Sequence, residues 1–555
     1  MDSQMLLLIS LVLPLLGAGL VWVVAPLGRG AIRWTALVVS LVTLLTVGLT
    51  VFSADAAVGG VFAVSDYQWL GDLATGAPDI RFSVGLDGLS VWLFGLSGLL
   101  MVTCILVSWE AIQDRPALFY GMLLMLACGC LGVFSARDII LFYIFFEFTL
   151  IPLFFLIGIW GSEDRRYAAV KFFVFTLAGS VLTFLGMLAI VFLHYQATGV
   201  LTFSIPALTE RFAVEPIQPL ALQCAIFVAL FAGFAIKVPL FPLHTWLPLA
   251  HVQAPTAGSV ILAGILLKIG TYGFLRFNIP MLPDAAAYFM PMLMWLAVAG
   301  IIYGALVALA QGDMKRLIAY SSVSHLGYCM LGLFALNRLG VQGGTLQMIN
   351  HGISTGGLFA MVGMVYERYH TREIAKLGGL SRRTPLLALF MLVFTFSSIG
   401  LPGLNGFAGE FPILLGAFQR AWLEAPTGLA AQLLAIAVLA VSGVVLGAWY
   451  MLWLIQRVFF GPLKEPHEDG HHEPVRDMKL REVLAVAPLV VFVFWIGLQP
   501  KFFLDRMDGT LNEATAQARR SMVRLYSDTE KVAAVDSASE LRVAGQPNVA
   551  TPDGR

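Results

Sequence analysis

The stretch AIFVALFAGFAIKVPLFPLHTWLP, residues 225–248, decides the class of this protein. It is apolar enough to enter a bilayer, yet Lys237 sits in its middle. An ammonium at that depth costs about 2.5–3.5 kcal/mol on an insertion scale. Pro239 and Pro242 follow directly and interrupt the helix, because proline lacks a backbone donor and its ring clashes with the preceding turn. A charge beside broken backbone at membrane depth is tolerated where protein encloses a polar path, the arrangement expected of an ion-translocation site.

The rest of the chain fits that beginning. Of 555 residues, 59% are hydrophobic and 12% are charged. Runs long enough to cross about 30 Å of hydrocarbon recur from end to end. They lie near 3–26, 31–53, 86–110, 116–135, 138–160, 167–195, 217–241, 254–277, 285–310, 316–336, 341–369, 385–421, 428–459 and 481–499. The pattern predicts an all-α polytopic membrane protein of about fourteen transmembrane helices, with the spans near 217–241 and 385–421 interrupted. Its surroundings are the lipid bilayer, and a formal net charge of zero argues against nucleic acid. The start, MDSQMLLLISLVLPLL, lacks the basic n-region of a cleaved signal, and its apolar run is too long for one. Cys104, Cys128, Cys130, Cys224 and Cys329 lie in apolar segments without metal-ligand spacing, so they read as small buried hydrophobes.

Lysine and arginine placement predicts the orientation. Loops of odd number, counted from the N-terminus, hold eighteen such residues. Loops of even number hold six: Arg81, Arg137, Arg211, Arg276, Arg338 and Arg420. The odd loops are expected on the cytoplasmic side and both termini on the outer one.

Three further charges share the predicament of Lys237. Glu147 is the one charged group of IILFYIFFEFTLIPLFFLIGIW; Lys268 lies within GSVILAGILLKIGTYGF. Glu410 sits late in the second interrupted segment, SSIGLPGLNGFAGEFPILL, whose break is written in Pro402, Gly403 and Gly406. Intramembrane charges are functional-site candidates on physical grounds, because their cost must be offset by partners. A structural carboxylate joining two helices is the plainer reading of Glu147. His325 and His351 are mid-span and flanked by Ser or Thr, which suits a proton relay; a neutral, hydrogen-bonded core histidine is the alternative. His244 and His251 read as interfacial. The tract HEDGHHE, 467–473, reads as a solvated loop rather than a metal site.

The spacing hints at duplication. Glu147 precedes Lys237 by 90 residues and His325 precedes Glu410 by 85. In each half a straight span carries the first group and an interrupted span the second. Five spans separate the halves, and an odd number places the two units in opposite orientation.

GFAIKVPLFPLHTWLPLAHVQAPTAGSVILAGILLKIGTYGFLRF resembles the central motif of the antiporter-like subunits of proton-pumping NADH:quinone oxidoreductase, respiratory complex I. SSIGLPGLNGFAGEFPIL resembles their twelfth-helix motif, and glutamate at 410 is similar to the M-type, or chain 4, subunit; the L- and N-type paralogues generally carry lysine there. FSVGLDGLS at 82–90 resembles the start of the third helix. The likeness covers about residues 80 to 460. It implies two inverted five-helix repeats: residues 1–115 as helices 1–3 with an outward loop at 54–85, 116–284 as the first repeat, and 285–460 as the second. A cytoplasmic-side loop and helix 14 follow at 461–500, then a polar tail at 501–555. The tail is expected to be partly helical over DGTLNEATAQARRSMVRLY and then disordered. Gln253 stands where the family often has an acid and Leu249 where it is often polar, so no role of those groups carries over.

The resemblance also implies that this chain binds no cofactor. NADH, flavin, iron–sulfur clusters and quinone belong to partner subunits, and its neighbours are other membrane-arm subunits, L- and N-type paralogues included. The expected location is a bacterial plasma membrane, with the mitochondrial inner membrane as the alternative. Two rival functions share parts of this pattern: a subunit of a multi-subunit sodium/proton antiporter, and a haem-bearing membrane anchor using His325 and His351. The anchor leaves two lysines and two acids without a role.

The expected mechanism uses the contrast between lysine and arginine. Glu147 balances protonated Lys237; once that balance is withdrawn, the buried ammonium can shed its proton, which then passes by way of Lys268 and His325 to Glu410. An arginine would keep its proton regardless. Lys237→Arg should therefore abolish proton pumping in assembled membranes, and a fully active Lys237→Arg variant would contradict the scheme.

Overall fold

The computed structural model describes residues 2–53, 60–71, 77–426, 428–466 and 475–544, with side chains to residue 526. The chain is a helical bundle. α1 (Ser3–Val23) and α2 (Arg29–Val51) pack together, and a two-stranded antiparallel sheet follows, β1 (Phe62–Leu70) with β2 (Ile80–Leu86). Then come α3 (Val91–Val107), α4 (Pro116–Ser135), α5 (Ile139–Trp160), α6 (Arg165–Thr198) and the short α7 (Ile205–Val214). The middle of the chain forms α8 (Leu220–Lys237), α9 (Trp246–Gln253), α10 (Thr256–Met281), α11 (Pro283–Leu309), α12 (Met314–Phe334) and α13 (Arg338–Tyr369). The remainder forms α14 (Pro385–Ser398), α15 (Asn405–Trp422), α16 (Ala430–Val458), α17 (Leu480–Leu498) and α18 (Pro500–Ala544). Among the described residues, 12 helices are long and apolar enough to cross a membrane, and α3 and α14 are shorter apolar helices.

The packing inverts the habit of a water-soluble protein. α10, α12 and α13 are the least apolar of the long helices, and they are almost wholly buried; α1, α16 and α17 are strongly apolar and turn much of their surface outward. In lipid, the polar side chains are the ones that need protein around them, because hydrocarbon offers no hydrogen bonds. This sorting places Lys268, His325 and His351 at the centre of the bundle.

Several sequence expectations need correction. Part of the outward loop at 54–85 is the β1–β2 hairpin, paired from Phe62↔Leu86 to Leu70↔Ile80. Aromatic and β-branched residues in FAVSDYQWL and IRFSVGL suit a half-buried strand. The tail does not lose its helix after Tyr526; α18 continues to Ala544. Phe503, Met507, Leu511, Ala518 and Met522 are buried along it, a helical stripe that holds the strap against the bundle. Arg506 donates to the Val51 carbonyl (2.8 Å), the Trp92 indole to the Phe503 carbonyl (3.2 Å), and Arg338 forks onto Asp508 (2.7 and 3.0 Å). Arg524 pairs with Asp284. α18 thus ties α2 and α3 to α11 and α13 across the face that carries the hairpin. Finally, His244 and His251, read as interfacial, are enclosed by protein, 3% and 0% exposed. The break after Lys237 turns the chain back into the bundle, so both rings are enclosed. The tract 467–473 lies outside the described residues.

The opposite face is fastened by charges. Arg368 of α13 grips Glu482 of α17 through both oxygens (2.7 and 3.0 Å), and Glu482 also accepts the Lys479 amide (2.7 Å). Lys479 and Arg481 meet Glu110, whose carboxyl is held below the usual range by its hydrogen bond to Lys479. The Arg368–Glu482 pair is buried, so removing one partner strands the other charge, at a cost on the order of 3 kcal/mol. Glu482→Gln is expected to lower the melting temperature of the detergent-solubilised protein, whereas Lys479→Ala, at an exposed pair, should change it little; equal shifts would refute the distinction.

Candidate functional site

Two broken helices frame the site. α8 ends at Lys237, the chain turns through Val238–Thr245, and α9 restarts at Trp246. Pro239 and Pro242 lie inside this turn, as their chemistry requires. The Val238 amide bonds the Phe234 carbonyl (2.8 Å), Leu240 the Ala235 carbonyl (2.9 Å), and the Trp246 indole the Ile236 carbonyl (3.0 Å), so the freed carbonyls find partners. Lys237 is 4% exposed and lies over the Phe146 ring, 4.6 Å from its centroid, a cation–π contact. Glu147, next along α5, acts on it electrostatically but forms no ion pair within 4.0 Å, and its Oε1 has no hydrogen-bond partner among the described residues. The two groups are neighbours at a distance rather than a closed salt bridge.

The second break lies between α14 and α15. Gly400 and Gly403 adopt φ of 74° and 91°, a left-handed conformation that glycine reaches without strain. A Cβ on Gly406 would sit 1.9 Å from the Ser397 carbonyl oxygen, so the two broken ends approach too closely for any other residue. The open ends are bonded by polar groups of α13: Asn350 donates to the Asn405 carbonyl (2.6 Å), and Ser354 and Ser397 are 2.5 Å apart. Ser397 in turn donates to Asn405 Oδ1 (2.5 Å).

Between the breaks runs a row of ionisable side chains. α10 widens into a π turn over Leu262–Leu266 just before Lys268, and the ammonium donates to the Ala263 carbonyl in that turn. The same ammonium is 2.6 Å from Nδ1 of His351, which accepts it; Nε2 of His351 then carries the proton and has no partner among the described residues. The His351 and His325 rings are 5.9 Å apart, centroid to centroid. His325 Nδ1 donates to Glu410 Oε1 (2.7 Å), and its Nε2 accepts from Ser398 (3.2 Å) and Tyr450 (3.3 Å). Gln347 gives Glu410 a second bond (2.8 Å). Lys268, His351, His325 and Glu410 thus stand in sequence, with every step but one a direct hydrogen bond. Such a row can pass a proton laterally through the bundle, because each member can both take one up and give one away.

The structure assembles the expected residues in two groups: Glu147 with Lys237, and Lys268 with His351, His325 and Glu410. α8 packs against α10 and brings the groups side by side. Sequence reading passed over Gln347, Asn350, Ser354, Ser398, Asn405 and Tyr450. The first three had a signal, since QMINHGIS repeats polar residues at helical spacing on the face of His351. Tyr450 had none, because it arrives from α16, 125 residues beyond His325.

The chain has relatives among known proteins. Residues 136–438 match the family model described as NADH:quinone oxidoreductase/Mrp antiporter, TM. The chain is 41% identical over 535 residues to NADH-quinone oxidoreductase subunit M of Rhodobacter capsulatus, covering 92% of this chain and 99% of that one. It is 40% identical to NADH-ubiquinone oxidoreductase chain 4 of Marchantia polymorpha, over 90% of this chain and 94% of that one. Among solved structures it superimposes on a chain of respiratory complex I from Thermus thermophilus with bound NADH (TM-score 0.78, 32% identity, 93% and 99% covered). A chain of the Mrp complex from a Dietzia species shares the fold (TM-score 0.77, 21% identity, 94% and 99% covered).

Gly409 offers a test of the site's packing. A Cβ there would lie 2.3 Å from Gln347 Oε1 and 2.8 Å from Asn350 Nδ2. Gly409→Ala should push Gln347 off Glu410 and weaken the second break, at a cost of about 1–3 kcal/mol for overpacking; unchanged thermal stability and unchanged pumping would show that Gln347 is not needed to hold the carboxylate.

Proposed function

Since the chain belongs to the M-type (chain 4) family of antiporter-like subunits of NADH:quinone oxidoreductase, we propose that it translocates protons in the membrane arm of a respiratory enzyme of that kind. The observation that carries this reading is the buried row Lys268–His351–His325–Glu410, hydrogen-bonded at its two ends (2.6 Å and 2.7 Å) with the two imidazole centroids 5.9 Å apart between them. Glu147 and Lys237 form its loading end and Glu410 its releasing end. Lys237 lies over Phe146, clear of direct contact with its carboxylate, so a change in the charge of Glu147 alters the energy of the ammonium without a hydrogen bond having to break. Moving one charge against 100 mV needs about 2.3 kcal/mol. A change in local electrostatics worth two pH units supplies about 2.7 kcal/mol, which is sufficient.

In this reading the chain carries no redox centre, and the drive comes from NADH, flavin, iron–sulfur clusters and quinone in partner subunits, with L- and N-type paralogues beside it. Residues 1–115, 116–284, 285–460, 461–500 and 501–555 are its successive units, the second and third being inverted repeats. The face fastened by Arg368, Lys479 and Arg481 is cytoplasmic, following the lysine and arginine excess, and the hairpin face with both termini is outer. A bacterial plasma membrane suits the relatives from bacteria, and a mitochondrial inner membrane suits chain 4.

Lys237→Ala in native membranes decides the matter. NADH-driven proton pumping and NADH:quinone electron transfer should both collapse while the complex stays assembled, and Glu410→Gln should impair release more than uptake. Persistence of both activities in Lys237→Ala would make the lysine structural. Sodium-dependent transport without NADH would favour the sodium/proton antiporter instead.

A further inference from the structure

A cavity of about 80 Å³ lies toward the hairpin end of the bundle, walled by α2, α3, α13, α17 and α18. Its lining is apolar: Val47 and Val51 of α2, Leu96 of α3, Ile349 and Ile353 of α13, and Phe503 of α18. The one polar side-chain atom on its walls, the Trp92 indole nitrogen, donates to the Phe503 carbonyl (3.2 Å). A water would find no side-chain partner there, and such a space stays dry. The cavity opens sideways between α2 and α17, where Gly48 and Phe492 are half-buried and Phe52 is 48% exposed. Gly48 makes the opening, since a Cβ there would meet no atom within 4 Å. Leu45 and Leu49 of α2 and Val491 of α17 lie outside it, exposed and apolar, as a surface turned to lipid tails is.

Arg506 of α18 stands at one end of this groove. Its guanidinium lies 5.8 Å from the Phe52 ring centroid, 5.2 Å from that of Trp92 and 4.8 Å from that of Phe502, and it donates to the Val51 carbonyl (2.8 Å). Val51, Phe52 and Trp92 are also cavity walls, so the cation and the apolar space share one frame. The nearest acids along α18 are engaged elsewhere, Asp505 by Lys501 (2.8 Å) and Asp508 by Arg338 (2.7 Å). Arg506 itself forms no ion pair within 4.0 Å among the described residues, and no charged group acts on it strongly enough to offset its partial desolvation. Arginine has five N–H donors. The Val51 carbonyl takes one, and the aromatic faces hold the plane of the group without using the others.

We propose that this groove holds one acyl chain of an anionic phospholipid from the leaflet on the hairpin side, with the phosphate of that lipid on Arg506. Each part of the site selects for this occupant. The dry, narrow space takes a flexible hydrocarbon chain; a helix, about 10–12 Å across with its side chains, is too wide for it. The uncompensated guanidinium takes the phosphate, as arginine does by parallel N–H donation. It sits where Trp92 and Trp495 both contact Phe502 (ring centroids 5.8 and 5.1 Å apart), and tryptophans collect at headgroup depth. The two ends of the site thus lie at the two depths that a phospholipid spans. Ile349 and Ile353 flank His351 on α13, so a chain seated here packs against the back of the turn that carries it.

The plainer reading is a packing gap left by Gly48 and Gly95. Photo-labelling of the whole complex in vesicles separates the two. The vesicles contain phosphatidylglycerol with a diazirine near the end of one acyl chain, and adducts are mapped by mass spectrometry of peptides from this chain. Labelling is expected on the segments of α2, α3 and α13 that line the groove. It should exceed several-fold the labelling by a phosphatidylcholine with the same chain, whose choline cation opposes Arg506. Gly48→Leu, whose added side chain enters open space, should abolish labelling by filling the groove. Arg506→Gln should lower it on the order of 10-fold, as loss of a hydrogen bond to a charged group does, and Arg506→Lys, which keeps the charge, should restore most of it. NADH oxidation by a hydrophilic artificial acceptor should be equal throughout, reporting assembly. No adducts on those segments in the unaltered complex, or equal labelling in Gly48→Leu, overturns the site. Equal labelling by the two lipids, or in Arg506→Gln, overturns the anionic headgroup on Arg506.

Discussion

Everything in this bundle depends on one constraint: within hydrocarbon, each backbone and side-chain polar group must be bonded by the protein itself. A continuous helix meets it for the backbone automatically. The chain departs from continuity at two places, Val238–Thr245 and Ile399–Leu404, and both departures are enclosed. The first break is made viable by local bonds such as that of the Trp246 indole to the Ile236 carbonyl, the second by donors of α13 such as Asn350, and an ionisable residue lies near each.

The same constraint explains the order of the helices from centre to rim. α10, α12 and α13 carry the polar groups and take the interior, while the most apolar helices face outward. Lys268 is satisfied by the carbonyl of a π turn and by a histidine, and Glu410 by His325 and Gln347. Lys237 is satisfied more weakly, by an aromatic face and a carboxylate at some distance. A strongly bonded charge is a resting place; a weakly bonded one responds to its surroundings. In the proposed path the loosely held lysine at the first break stands at one end and the doubly bonded carboxylate near the second at the other.

Stiffness at both faces protects this arrangement. α18 straps the hairpin face, joining α2 and α3 to α11 and α13, and Arg368 with Glu482 locks α13 to α17 at the other. Both fasteners hold α13, which carries His351, Gln347 and Asn350.

The sequence by itself determined the class, the positions of nearly all spans and the breaks, because charge and proline in an apolar run are costly wherever they fall and so stand out without reference to neighbours. It also named Glu147, Lys237, Lys268, His325, His351 and Glu410, each an ionisable group within an apolar span. Tertiary structure decided what each of them meets. That Lys268 bonds His351, 83 residues away, and that Lys237 lies over Phe146 rather than on Glu147, follow from how helices rotate against one another, which no local pattern records. His251 read as interfacial because its segment ends near a charged loop; only the fold of the first break carries it inside. The hairpin and the full length of α18 were missed because pairing and docking, rather than composition, stabilise a half-polar strand and a long polar helix.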